Sequence, residues 1–275
     1  MTKVAIIMGI YNCQHTLSQS VNSLLAQTFT DWQLVMCDDG SADATFEVAK
    51  EFEKRYPEKI HVLKNEKNVG LNKTLNRCLA ACDAPFIARQ DADDYSHPER
   101  LAKEVEFLEA HPEYALVSCA KIHFDESGDW GVFHGIEEPT ALDLVHGAPF
   151  CHPAVLMRSQ VLTQIGGYSE AREHWRVEDY QLWFKFYRAG YRGANLPTIL
   201  YSYKDDREAY NRRTWGNRLN ESRLKRVIIK ELNVGIHAYP AVVRPLVIGL
   251  LPHGVYNRLH RRNLSLKNQG TIRSE

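Results

Sequence analysis

The chain has 275 residues, 44% hydrophobic and 25% charged, an ordinary globular composition with length enough for a sizeable core. Its formal charge is zero, but residues 207–275 carry fourteen Lys and Arg against four Asp and Glu, while residues 1–206 carry twenty against thirty. A basic tail on an acidic body points to phosphates or an anionic membrane surface, or simply to a solvated basic helix; nucleic acid is disfavoured, because no aromatic residues interleave regularly with the basic ones.

Residues 4–8 (VAIIM) are apolar and β-branched, the pattern of a strand buried on both faces. After the loop GIYNCQ, the spacing of Leu17, Val21, Leu24 and Leu25 predicts a helix with one apolar face, Thr16 standing at its N-cap. Trp32–Cys37 is a second strand, ended by Asp38-Asp39-Gly40-Ser41, and Ser41 or Asp43 is placed to cap a helix over about 44–55. A third strand follows at Ile60–Leu63, then Asn68-Val69-Gly70-Leu71-Asn72 opens a helix to about Ala81. Phe86–Ala88 is the fourth strand, a helix runs from Pro98 to Ala110, and Ala115–Ser118 is the fifth strand. This alternation over residues 1–118 predicts an α/β fold, a Rossmann-like, mostly parallel sheet flanked by helices.

The rest is less regular. Residues 121–150, rich in Gly and Pro, read as loop; then come a strand at His152–Arg158, a short helix closed by Gly166-Gly167, a helix over about 179–189, a strand at 198–203, and mainly helix after Tyr210. The apolar segment Pro245–Tyr256 is too short to span a bilayer and is edged by Arg244, Arg258, Arg261 and Arg262. It reads equally as an interfacial anchor and as a buried C-terminal helix. The six cysteines form no C-x-x-C pair and no signal-peptide pattern opens the chain, which predicts buried thiols in a reducing, cytoplasmic compartment.

In parallel sheets of this kind, ligands bind outside the carboxyl ends of the strands. Asp38-Asp39 ends the second strand, and Asp91-Ala92-Asp93-Asp94 follows the fourth. Short carboxylates there can accept hydrogen bonds from ribose or base, or hold a hard divalent cation against a diphosphate. The first loop lacks both G-x-G-x-x-G and a GKS or GKT sequence, so a dehydrogenase cradle and a P-loop are excluded. With no Gly-rich cradle, the charge of a diphosphate is met by a cation seated on carboxylates, which also relieves the repulsion among them. Glu178-Asp179 stands at the start of a helix, as charge favoured there by the helix dipole or as a general base.

Taken together, VAIIMGIYN, LSQSVNSLLAQT, DDGSADAT, NVGLNKTLN, DADD and VEDYQLW resemble, in order over residues 3–205, a family 2 glycosyltransferase of the GT-A fold. The resemblance implies an inverting enzyme that uses a nucleotide sugar, by default a UDP-sugar, with Mn2+ or Mg2+, in cell-surface polysaccharide assembly. It implies that Tyr11 stacks near the donor base, Asp39 hydrogen-bonds that base, Asn72 lines the donor pocket, and Asp91 faces the ribose or sugar. Asp93 would bind the metal, and Asp179 would be the catalytic base with Glu178 beside it. Gly9-Ile10 stands where many relatives have a proline. The implied organisation is a nucleotide-sugar-binding half (1–118), an acceptor-binding and catalytic half (119–206) and a basic helical extension (207–275), in which Arg207–Arg213 closes over the diphosphate. The acceptor would be a glycan or lipid-linked glycan, and the extension through residue 262 would touch an anionic membrane at the inner face of the plasma membrane. Two other readings stay open: a sugar nucleotidyltransferase, whose first loop would be Gly-rich and basic, and a non-catalytic nucleotide- or carbohydrate-binding module, which needs no base. His152 reads as a turn residue or an acceptor contact, and Trp175 and Trp183 as core or as an acceptor cleft.

Overall fold

The computed structural model describes residues 2–205, 214–251 and 253–264. Its first half follows the sequence pattern. Strands β1 (Val4–Ile10), β2 (Trp32–Asp38), β3 (Ile60–Lys64) and β4 (Phe86–Arg89) alternate with helices α1 (Leu17–Leu25), α2 (Thr45–Arg55) and α3 (Leu71–Ala80). The strands are parallel in the order β3-β2-β1-β4. Their unbroken apolar runs are explained by burial on both faces. Val4, Ile6, Met8 and Ile10 pack in one cluster with Leu17, Val21 and Leu24 of α1 and Phe52 of α2. Ala5 and Ile7 pack on the other side with Leu75 and Cys78 of α3. Register pairs Ile10 with Asp38 and Ile7 with Arg89, so the carboxyl ends of β1, β2 and β4 lie side by side.

The second half departs from simple alternation. A two-residue strand β5 (Tyr95–Ser96) and helix α4 (Arg100–Ala110) precede β6 (Leu116–Asp125), which is the fifth predicted strand, longer than expected. It does not lie beside β4. Strand β8 (Leu156–Arg158) comes between them, antiparallel to both. The order among the described residues is β3-β2-β1-β4-β8-β6-β9-β5, where β9 (Gly193–Lys204) runs parallel to β6.

The expected loop over 121–150 is instead the end of β6, its hairpin partner β7 (Gly128–Phe133) and helix α5 (Ala141–His146). The glycines misled because one of them serves packing: a Cβ at Gly131 would stand 2.8 Å from the backbone oxygen of Leu264. Thr140 caps α5 in a reciprocal box with Asp143. Helices α6 (Ser159–Gln164) and α7 (Glu178–Arg188) lie near their predicted positions.

At the C-terminus, α8 (Trp215–Glu231) and α9 (Pro240–Gly249) form an antiparallel hairpin, followed by α10 (His253–Leu264). Ser222 Oγ donates to Val242 O and an Arg218 guanidinium nitrogen donates to Pro245 O across it. Pro245 and Ala241 are therefore on the inner face, while Ile236, Tyr239, Val243, Val247 and Leu250 form an exposed apolar stripe at helical spacing. The apolar surface is thus set earlier in the chain than the segment Pro245–Tyr256 suggests. Among the described residues no helix is long and apolar enough to cross a membrane. All six cysteines are free.

Candidate active site

The turns after β1 and β2 are laced together. Asn12 N donates to Ser41 Oγ (3.0 Å), Ala42 N to Asn12 Oδ1 (2.9 Å) and Cys13 N to Thr45 Oγ1 (2.7 Å). Ser41 turns its hydroxyl to Asp38, so it is Asp43 that meets the start of α2, accepting from Thr45 N at 3.0 Å. Thr16 does not cap α1: its hydroxyl donates to Cys13 O. Asp39, 4% exposed, accepts from Asn65 Nδ2 (2.8 Å) and Val69 N (2.9 Å) on Oδ1 and from Gly70 N (2.9 Å) on Oδ2. It therefore anchors the turn before α3 and sits at that helix's N-terminus, where negative charge is favoured. Gly70 has φ 92°, a conformation that a side chain would strain. On the other flank, Ser20 Oγ donates to Asp91 O (2.8 Å) and Tyr95 Oη to Gln19 Oε1 (2.8 Å), tying the turn after β4 to α1. The four strand-end turns thus form one edge.

Below that edge lies a cavity of about 580 Å³. Asp91, Asp93 and Asp94 line it from the turn after β4, and Glu178 and Asp179 line it from the first turn of α7. The two acidic motifs, remote in sequence, therefore face one space. The other candidates lie outside its lining. Tyr11 is 49% exposed in the turn after β1 and Asp39 is buried beneath that edge. Asn72 is buried too, its Nδ2 donating to Ser169 O, so it ties α3 to the loop at residue 169. Trp183 is fully buried, edge-on to Phe150, and belongs to the core; Trp175 is exposed outside the cavity. Arg207–Arg213 lies outside the described residues.

Groups that the sequence did not single out complete the floor. Arg89, 3% exposed at the end of β4, lines the cavity and donates to Asp91 Oδ1 at 2.7 Å. Burial is the largest single influence and disfavours its charge, but Asp91, Tyr168, Tyr201 and Glu178 together outweigh it and raise its pKa. Arg100, wholly buried, donates from one guanidinium nitrogen to Arg89 O (3.0 Å) and Pro153 O (3.3 Å), joining β4 to the turn at His152. A charged residue closing an apolar run, as Arg89 does in FIAR, was the available signal; Arg100, inside an ordinary-looking helix, offered none.

Carboxylates crowd this cavity. Asp94 is 1% exposed, and its Oδ1 accepts from Lys204 N at 2.7 Å. Burial, then the charges of Asp91 and Asp93, push its pKa well above the usual carboxylate range. Glu178 is raised by burial and then by Asp179. A crowded, all-oxygen set of carboxylates fits a hard divalent cation. Among the described residues no three His, Cys, Asp or Glu side chains are grouped to hold an ion by themselves. A bound ion would take its remaining ligands from a diphosphate or water, the usual arrangement for Mg2+.

Residues 5–166 match the profile of Glycosyl transferase family 2. The chain belongs to this family. The enzyme is 36% identical over 275 residues to the putative glycosyltransferase EpsE of Bacillus subtilis, covering 99% of this chain and 98% of that one. It is 31% identical over 236 residues to the amylovoran biosynthesis glycosyltransferase AmsE of Erwinia amylovora, covering 81% and 84%. A UDP-Gal:alpha-D-GlcNAc-diphosphoundecaprenol beta-1,3-galactosyltransferase of Escherichia coli is 26% identical, with 77% of each chain covered. Among solved structures, Staphylococcus aureus TarS 1–349 in complex with UDP-GlcNAc superimposes with a TM-score of 0.68 at 20% identity, covering 89% of this glycosyltransferase and 71% of that 1–349 chain. A Pyrobaculum calidifontis mannosyltransferase in complex with GDP-Man and Mn2+ gives 0.63 at 18% identity, covering 94% and 79%. These likenesses establish the fold as that of GT-A glycosyltransferases.

Proposed function

We propose that this glycosyltransferase moves a sugar from a UDP-sugar to an acceptor hydroxyl with inversion, with Asp179 as catalytic base. The observation that carries the reading is the shared cavity: Asp91 and Asp93 of the turn after β4 and Glu178 and Asp179 of α7 all line it. Tyr11 stacks on the base and Asp39 receives a base N–H on Oδ2, the oxygen with one protein donor against two on Oδ1. Asp91, oriented by Arg89, meets the ribose or sugar. Asp93 would hold Mn2+ or Mg2+, which would supply positive charge for the diphosphate.

The acceptor hydroxyl loses its proton to Asp179 while its oxygen attacks the anomeric carbon. The bond from that carbon to the diphosphate oxygen breaks on the opposite face, which inverts the configuration. Burial, and then the charge of Asp179 beside it, raises the pKa of Glu178. Asp179→Asn should lower kcat by about 10²- to 10⁴-fold and leave the Kd for UDP unchanged. Retention of near-normal turnover in that variant overturns the assignment.

The acceptor in this reading is a lipid-linked glycan of a cell-surface polysaccharide, and the enzyme works on the inner face of the plasma membrane. The acceptor named for the Escherichia coli relative supports this. So do the stripe Ile236, Tyr239, Val243, Val247 and Leu250 and the exposed Arg223, Arg226 and Lys230 of the paired helix α8. Asn217, Arg218 and Glu221 of the same α8 line the cavity, so a membrane under this hairpin would bring a lipid-borne acceptor to the site.

A further inference from the structure

The turn before β8 carries a cavity side chain that the proposed chemistry leaves without a task. His152 is 8% exposed, lines the cavity, and stands edge-on to Trp183 with ring centroids 5.7 Å apart. Its Nε2 lies 2.9 Å from Tyr168 Oη. Among the described residues Nε2 is the hydrogen-bond partner of that buried hydroxyl, so its proton is assigned to this bond: Tyr168 donates and the ring nitrogen accepts. Burial, reinforced by Arg89, holds the imidazole neutral, and burial likewise keeps Tyr168 protonated. A neutral imidazole that accepts at Nε2 carries its hydrogen on Nδ1. Among the described residues Nδ1 has no partner, and it is not sealed from the cavity. The ring, locked by Tyr168 and Trp183, therefore offers the cavity one N–H donor in a fixed direction.

Its location decides what meets it. Arg100 bonds both Arg89 O, just before Asp91, and Pro153 O, next to His152. Trp183, on which the ring rests, is one helical turn beyond Asp179 on α7. His152 thus shares the cavity with the acidic turn after β4 and the carboxylates of α7, tied towards the first through Arg100 and towards the second through Trp183. In an in-line transfer, the sugar in transit occupies that cavity, between the diphosphate and the base.

We propose that His152 donates its Nδ1–H to a hydroxyl oxygen of the transferred sugar and so takes part in selecting the donor sugar; the proposal rests on the transfer reading above. Calorimetry with UDP, UDP-glucose, UDP-galactose, UDP-N-acetylglucosamine, GDP and GDP-mannose tests it. In the wild type at least one sugar nucleotide should bind more tightly than its bare diphosphate. His152→Ala should weaken that sugar nucleotide by roughly ten- to a hundredfold and leave the bare diphosphate unchanged. His152→Asn, whose amide can present a donor near the place of Nδ1, should recover most of the loss. Tyr168→Phe, which frees the tautomer, should lose only a few-fold. Equal loss for sugar nucleotide and bare diphosphate, or no loss for either, overturns the proposal. So does His152→Asn behaving like His152→Ala, which also serves if the alanine variant does not fold. Should the wild type bind none of these nucleotides, the donor assignment falls together with it. The failure of Asp179→Asn to lower turnover removes the catalytic reading and leaves the binding comparison intact.

Discussion

Replacing Asp39 by Asn removes charge and reverses half of the group's hydrogen-bonding sense while barely changing its shape. The carboxylate accepts from Asn65 Nδ2, Val69 N and Gly70 N. An Asn carbonyl oxygen can keep the two donors on Oδ1, now without charge assistance. The amide nitrogen then faces Gly70 N–H, donor against donor, and that N–H is left unpaired beneath a residue only 4% exposed. A hydrogen bond to a charged group contributes about 1.5–3 kcal/mol, and a buried donor left unsatisfied costs about 1–3 kcal/mol. Allowing for overlap between these terms, Asp39→Asn should destabilise the fold by about 2–4 kcal/mol. Urea unfolding followed by far-UV circular dichroism should show the midpoint lowered by about 1 M, given a denaturant slope of roughly 2–3 kcal/mol per M. The loss of donor binding should accompany it, since the same carboxylate sets the turn before α3. A midpoint within about 0.2 M of wild type would refute the reasoning, because the three donors would then contribute nothing.

Three other outcomes are expected. Asp93→Ala should weaken UDP-sugar binding measured with Mn2+ and leave the residual affinity in EDTA unchanged; equal weakening under both conditions argues against Asp93 as the metal ligand. Glu104 is wholly buried, 3.9 Å from the Arg100 guanidinium, and burial, only partly opposed by Arg100 and by Cys119, pushes its pKa up to about 8. Between the unfolded value near 4.5 and about 8 the folded state keeps the proton and the unfolded chain releases it, so stability falls as pH rises through that window, by at most about 1.4 kcal/mol per pH unit, and levels off above 8. Glu104→Gln should flatten this fall in urea melts at pH 6 and 8, and an unchanged slope places the titration elsewhere. Finally, the enzyme should sediment with vesicles containing anionic lipid, and Val243→Glu combined with Val247→Glu should abolish sedimentation while the Kd for UDP-sugar stays the same. Sedimentation that survives both substitutions rules out the α9 stripe as the contact.

The sequence by itself determined the parallel half of the sheet. Val4–Met8 and Trp32–Cys37 are unbroken apolar runs, and Leu17, Val21 and Leu24 repeat with helical period, so each element is encoded locally. The acidic turns were legible for the same reason, since in a parallel sheet every such turn exits at one edge. Only the tertiary structure decided that β8 lies antiparallel between β4 and β6, because strand neighbours are chosen by contacts distant in sequence. It also decided the duties of single side chains. Asp39 anchors α3, Asn72 ties down the loop at Ser169, and His152 combines a buried ring with one nitrogen open to the cavity. The apolar stripe of α9 likewise begins at Ile236 because Pro245 packs against α8. Local pattern fixes which elements form, but burial and hydrogen-bond partners depend on what another part of the chain brings alongside, and no window of residues contains that information.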